Sequence, residues 1–221
     1  MHVEIEAWAA RWREGRIGFH QPVVNPELQA YWPTIVHDTA ARVLVPLCGK
    51  STDMLWLHQR GHSVVGVELS SLAAAAFFQE NRLEVERREQ DGFEVFKGCG
   101  TAHGIEIWCG DFFRMSVAQL GPIQAWYDRA ALVALPPELW GPYAEKLADL
   151  LEPGAAALMA TFEYDQEQWD GPPFSVSFKD VCGRFKGAFD VTLLETIDLT
   201  EGNRWEFTWV HKPVMALTRS S

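Results

Sequence analysis

"RVLVPLCGKSTDMLWLHQRGHSVVGVELS", residues 42–70, decides the fold. It reads as a strand (RVLVP, 42–46), a turn with one glycine (LCGKS, 47–51), a helix (TDMLWLHQR, 52–60) and a second strand (SVVGVE, 63–68). Ser51 is placed to cap the helix and Gly61 to end it. A nearly all-apolar strand such as RVLVP suits a sheet buried on both faces. A strand, helix and strand in this order form the right-handed crossover of a parallel sheet. Glu68 closes the second strand, 19 positions after Gly49.

The pattern continues outward. Ser70 or Ser71 caps a helix in "LAAAAFFQENRL". "FEVFKGCGTAHGIEIWCGD" is expected to form a hairpin ending in a third core strand, although residues 84–103 carry the weakest signal. "IQAWYDR" and "AAALMATFEY" are a fourth and a fifth strand, flanking the proline-started helix "PPELWGPYAEKLADLL" that "EPG" stops. "FKDVCGRF" is a short helix. "DVTLLETIDL" and "WEFTWVHKPVMAL" are two strands joined by the turn "TEGNR", so the last strand runs antiparallel. On the N-terminal side, Asn25 caps a helix begun by Pro26. Ile5, Trp8 and Trp12 share one face of an amphipathic helix over about 4–14. Strand–helix alternation predicts a single open α/β domain over 1–221, with helices on both faces of the sheet.

Composition narrows the function. Thirty acidic residues against 19 basic ones give a formal charge of −11, and the Arg87-Arg88 pair is flanked by Glu86 and Glu89. Such a surface repels polyphosphate backbones, so no nucleic-acid partner is expected. No apolar run reaches the ~20 residues of a membrane span. The N-terminus alternates charged and apolar residues, unlike a signal peptide. Cys48, Cys99, Cys109 and Cys182 show no zinc-ligand spacing, so reduced thiols in a cytoplasmic protein without a metal are expected. Nothing in the chain demands more than a monomer.

The turn selects among ligands. A Walker loop needs G-x-x-x-x-G-K-[ST]; Gly49-Lys50-Ser51 fits its end, but Leu44 occupies the place of the first glycine. A dinucleotide fingerprint needs three glycines, and this turn has one. A carboxylate at the end of the second strand can still accept both hydroxyls of a ribose. Turn and acid together describe an adenosine site without pyrophosphate, and S-adenosylmethionine is the common ligand of that kind. "CGDFF" (109–113) adds Asp111, able to meet the adenine amine, and Phe112, able to cover the ring. Their alternative roles are a helix cap and a core phenylalanine. Open α/β sheets bind ligands where these strand ends meet.

With those residues in place, the sequence resembles the thiopurine S-methyltransferase family in its bacterial form. The resemblance covers most of the chain. It rests on "WAARW" (8–12), "GFHQ" (18–21), "LVPLCGK" (44–50), "GHSVVGVELS" (61–70), "WYDRAALVAL" (126–135) and "GPPF" (171–174). It implies a class I methyltransferase fold, Rossmann-like, with a mostly parallel seven-stranded sheet and an antiparallel terminal hairpin strand. It implies S-adenosylmethionine as cofactor and a thiol on an aromatic or heterocyclic (thiopurine) ring as acceptor, with selenium and tellurium compounds as a further acceptor class. Residues 1–37 would form an N-terminal helical lid over the active site, carrying Trp8 and Trp12. Leu47 contacts the cofactor through its backbone, Gly49 and Leu69 belong to the same site, Glu68 takes the ribose, and Asp111 with Phe112 takes the adenine. Arg129 serves the methionine end and the acceptor, and Phe19 lines the acceptor pocket.

Read from the residues alone, Trp8 and Trp12 one helical turn apart are also what a packed face looks like. Phe19 reads as a packed loop anchor, and Arg129 as the ion-pair partner of Asp128. Methyl transfer to a thiolate needs alignment more than covalent help. No His–Asp pair stands near the motifs, so Arg129 is assigned electrostatic stabilisation of an anionic acceptor. Two alternatives remain: a methyltransferase acting on an amine or a carboxylate, and a non-catalytic adenosine-binding module. Amine methyltransferases carry an N/D-P-P-Y/F motif after the fourth strand, where this chain has "YDRA" (127–130).

Overall fold

The computed structural model describes residues 8, 10–203 and 205–220. Trp8 and residues 10–13 are helical; Ile5 and the rest of the expected first turn lie outside the described residues. In chain order follow α1 (Pro26–Ile35), β1 (Arg42–Pro46), α2 (Asp53–Gln59), β2 (Ser63–Glu68), α3 (Ser71–Glu80), β3 (Val85–Gln90), β4 (Phe93–Gly98) and β5 (Ile105–Cys109). Then come α4 (Val117–Leu120), β6 (Ala125–Arg129), α5 (Trp140–Leu150), β7 (Ala156–Ala160), β8 (Glu163–Tyr164), α6 (Phe178–Phe185), β9 (Phe189–Asp198) and β10 (Val210–Arg219).

The sheet runs β3-β4-β5-β2-β1-β6-β7-β10, with β9 on the outer side of β10. Its central five strands, β5 to β7, are parallel, and β10 is antiparallel to β7. Alternation along the strands divides the core between two faces. In β1, Leu44 packs with Trp108, Trp126 and the residues of α5 and α6, while Val43 and Val45 pack with α1, α2 and α3. Both faces are therefore covered by helices, as the apolar strands require.

Ten strand segments stand where seven were expected, for two reasons. β8 keeps the register of β7 against β10, so the two are one strand interrupted at Thr161–Phe162. The break falls opposite Pro213, which has no N–H to return to the ladder; Thr161 N still donates to its carbonyl at 3.1 Å. The other addition is at the sheet edge: β4 forms the expected antiparallel hairpin with β5, and β3 extends it through a second hairpin. Its turn is Asp91-Gly92, with φ of 50° and 79°, the type I′ geometry that Asp-Gly favours.

Other boundaries also move. Thr52, not Ser51, stands at the formal cap of α2, yet the Ser51 hydroxyl accepts from Asp53 N at 3.2 Å. Ser70 caps α3. "WEFTW" is not strand: the Asn203 side chain bonds Thr200 O, Phe207 O and Phe207 N, and so draws Phe207 back to Thr200. Trp205 stacks on Phe207 there, and β10 begins only at Val210.

Candidate active site

The turn after β1 is shaped by backbone conformation. Leu47 and Gly49 both take positive φ, 47° and 54°, and Cys48 N ties the turn to Val67 O at 3.1 Å. Gly49 N donates to Glu68 Oε2 at 2.7 Å, and Ser70 N donates to Oε1 at 2.8 Å. Glu68 is 7% exposed. Burial pushes its pKa up, and the N–H groups of Ser70, Gly49 and Leu69 oppose that rise. One carboxylate thus joins the glycine turn to the start of α3. A carboxylate has about four lone-pair sites, so each oxygen keeps capacity for another donor.

The next strand end is β5. Asp111 Oδ1 caps the following turn by accepting from Phe113 N at 2.9 Å. Phe112 is buried with its ring 5.3 Å from that of Tyr143. Both alternative roles, cap and core, are therefore filled, and both residues also border the cavity.

The N-terminal segment closes over the turn. The rings of Trp8 and Trp12 meet Phe19 edge-on, each at 5.5 Å. Trp12 lies so close to Gly49 that a Cβ there would come within 3.0 Å of its ring. Glycine at 49 thus answers both the positive φ and the indole above it. The segment is anchored at Asn25, whose N donates to Asp53 Oδ1 at 2.8 Å; Tyr127 Oη donates to the other oxygen at 3.1 Å. Farther along, Lys212 of β10 pairs with Glu27 at 2.6 Å.

Arg129 and Asp128 do not pair, which corrects the ion-pair reading. Successive strand residues point to opposite faces. Asp128 is 1% exposed and accepts from Tyr143 Oη at 2.6 Å and Leu132 N at 3.2 Å; burial raises its pKa to about 6. Arg129 Nη1 donates instead to the Phe19 carbonyl at 3.2 Å. Among the described residues Arg129 has no carboxylate partner.

A cavity of about 850 Å³ brings these groups together: Trp8, Trp12, Leu47, Gly49, Glu68, Leu69, Asp111, Phe112, Arg129 and Phe19 all line it. Sequence reasoning missed the far wall, where Phe162, Trp169, Leu199, Trp205 and Lys212 stand, and also His20. The "GPPF" motif pointed to part of that wall, since Pro172, Pro173 and Phe174 line it. Its place is fixed by Phe174 N donating to Val133 O at 2.7 Å. Among the described residues no three His, Cys, Asp or Glu side chains gather as metal ligands. No helix among them is long and apolar enough to cross a membrane.

Comparison with known proteins agrees with this architecture. The family model described as thiopurine S-methyltransferase matches residues 3–220. A thiopurine S-methyltransferase of Pseudomonas fluorescens is 46% identical over 202 residues, covering 91% of this chain and 90% of its own. One from Nitrosospira multiformis is 44% identical with the same coverage. Among solved structures, the Burkholderia thailandensis 1,6-didemethyltoxoflavin-N1-methyltransferase, bound to S-adenosylhomocysteine, aligns with a TM-score of 0.66 at 15% identity, over 100% of this chain and 88% of its own. The N-methyltransferase NodS of Bradyrhizobium japonicum aligns with a TM-score of 0.57 at 12% identity, over 82% and 79%.

Proposed function

Because the chain belongs to the thiopurine S-methyltransferase family and is an S-adenosylmethionine-dependent methyltransferase, we propose that its acceptor is the thiolate of an aromatic or heterocyclic ring. The observation that carries this reading is Arg129. It is a half-buried cation without a carboxylate partner among the described residues, on the wall of an aromatic-lined cavity that also reaches the glycine turn. Flat apolar walls with a cation free of a carboxylate among them suit a soft, planar anion. Selenolates and reduced tellurium compounds are soft anions of the same kind, and the reading extends to them.

The site fits the cofactor. Glu68 would hold the ribose hydroxyls with the acceptor capacity left after Gly49 and Ser70, and Asp111 would take the adenine amine beside Phe112. Leu47 would meet the cofactor through its backbone, with Gly49 and Leu69 beside it. S-adenosylmethionine, when bound, supplies an electrophilic methyl group on a sulfonium sulfur. The protein's part is alignment, which can supply up to about 7–11 kcal/mol. Arg129 favours the anionic form of the acceptor sulfur. Of the expected 1–37 lid, Trp8 and Trp12 serve as the cover, seated on Phe19 and Gly49 so that water is kept out, whereas α1 packs into the core. Free thiols at Cys48, Cys99, Cys109 and Cys182 suit a cytoplasmic enzyme.

The test is methyl transfer from labelled S-adenosylmethionine to a panel of heteroaromatic thiols, selenols and their hydroxyl and amino counterparts. Label is expected on sulfur or selenium. Label on the hydroxyl or amino counterparts, with none on the thiols, overturns the reading.

A further inference from the structure

A heteroaromatic thiol that is already ionised needs no base, but a thiol with an ordinary pKa reaches the cavity with its proton. We propose that His20 takes that proton, acting as general base for un-ionised thiol acceptors; the inference rests on the S-methyl transfer reading above. Among the described residues His20 is the histidine on the cavity wall. Its imidazole also differs from the two histidines packed behind the sheet. His58 has ring nitrogens against His62 O and Thr101 O at 3.3 and 3.1 Å; His62 has them against Ala41 O and the Trp32 indole N–H at 3.2 and 3.0 Å. Those rings are spent on structure. Among the described residues, neither ring nitrogen of His20 has a hydrogen-bond partner.

The backbone around His20 is held nonetheless. Its own N donates to Ile17 O at 2.8 Å, and the preceding carbonyl, that of Phe19, takes the Arg129 bond at 3.2 Å. A free imidazole is therefore fixed next to the residue assigned to the acceptor anion. Four charged groups face it: Lys50 from the glycine turn, Glu80 from the end of α3, Arg129 from β6 and Asp53 from α2. Burial, helped by Lys50 and Arg129 and opposed by Glu80 and Asp53, brings its pKa below the ordinary 6.5. The ring is then neutral at pH 7, as a base must be. In the step itself the acceptor's S–H bond breaks, the proton goes to a ring nitrogen, and the electron pair stays on sulfur. The resulting imidazolium and thiolate sit beside Arg129, and the imidazolium later gives its proton to water.

The experiment compares the wild type and His20→Gln with two acceptors, a heteroaromatic thiol ionised at pH 7 and benzyl thiol, which is not. Removing a general base costs about 10²–10⁴-fold, so kcat/KM for benzyl thiol should fall at least tenfold further than for the ionised thiol. The gap should shrink as pH rises. In the wild type, kcat/KM for benzyl thiol should drop as pH falls below 6.5. A second readout needs neither turnover nor a folded variant. In ¹³C-histidine-labelled wild type with S-adenosylhomocysteine, one imidazole resonance should titrate below the ordinary 6.5 and should shift when benzyl thiol is added at pH 7. Equal losses with both acceptors, no loss with benzyl thiol, or an unmoved resonance overturns the proposal. So does a wild type that turns over only the ionised thiol. A wild type that methylates neither thiol brings down the S-methyl transfer reading itself.

Discussion

The two walls of the cavity are made of different material. Near the carboxyl ends of β1, β2 and β5 the wall is mostly main chain: a turn at positive φ, a buried carboxylate holding two backbone N–H groups, and an Asp-capped turn. Opposite, it is side chains on loops: Phe19 leans on Trp8 and Trp12, Phe162 on Trp205, and the Trp169 indole donates to Pro172 O. Backbone hydrogen bonded on both sides has little freedom to re-form, whereas loop aromatics repack at small cost. One wall is suited to a ligand that never varies, the other to acceptors that do. Substitutions on the first wall should cost stability and cofactor affinity together. Those on the second should change turnover or acceptor preference with the fold unharmed.

Glu68→Ala is the largest test of the main-chain wall. It orphans the N–H groups of Gly49 and Ser70, at about 1–3 kcal/mol each, and removes a charged acceptor worth roughly 1.5–3 kcal/mol per hydrogen bond to the cofactor. Denaturant unfolding should show the first loss, and calorimetric titration at least a tenfold weaker dissociation constant for S-adenosylmethionine. Loss of affinity with unchanged stability would mean that the carboxylate is not bracing the turn.

Arg129→Ala probes the seam between the walls. Loss of one electrostatic stabiliser typically costs about 10²–10³-fold in turnover, and the fall here should exceed the fall in cofactor affinity. Arg129→Lys, which keeps the charge and loses the planar fork, should recover part of it. Wild-type rates in Arg129→Ala with a heteroaromatic thiol would remove Arg129 from the acceptor site.

Asp128, on the same strand, belongs to the braced side: it holds Leu132 N at the start of a loop whose Val133, Ala134 and Leu135 line the cavity. Its pKa is raised from 3.8 to about 6 by burial. The folded state therefore favours the protonated acid. That contribution is complete below about pH 4 and is lost as pH rises through about 6, on the order of 2–3 kcal/mol. Stability measured by urea unfolding should fall across this window in the wild type and fall less in Asp128→Asn. Equal slopes would contradict the assignment.

Trp12→Ala gives the smallest expected effect, since the ring lies on the turn without building the sheet. It should weaken cofactor binding several-fold and cost less stability than the ~3–5 kcal/mol typical of truncating a core tryptophan such as Trp126. Equal destabilisation by the two would make Trp12 an ordinary core residue.

How far the sequence could be read follows the same division. The main-chain wall is local: one glycine, one strand-end acid and apolar strands, all within residues 42–70. Asp111 and Phe112 were legible as positions, though both also serve as cap and core. The side-chain wall is assembled from distant loops, so periodicity says nothing about it. "WEFTW" alternates like a strand, yet the Asn203 side chain makes it a loop. "VERREQ" reads as solvated charge because β3 is an edge strand, and only the Asp91-Gly92 pair signalled its hairpin. The Asp128–Arg129 pairing failed because neighbours on a strand diverge. His20 stands within the "GFHQ" stretch, but its role was not legible there: a loop histidine acquires one only from what folds around it.

The most direct test of the account is a crystal structure of the protein with S-adenosylhomocysteine and a heteroaromatic thiol bound together. The ribose should lie on Glu68, the adenine beside Asp111 and Phe112, and the thiol ring among Phe19, Phe162 and Trp205 with its sulfur toward Arg129. A ribose away from Glu68, or a thiol ring on the side of the cavity away from Arg129, would contradict it.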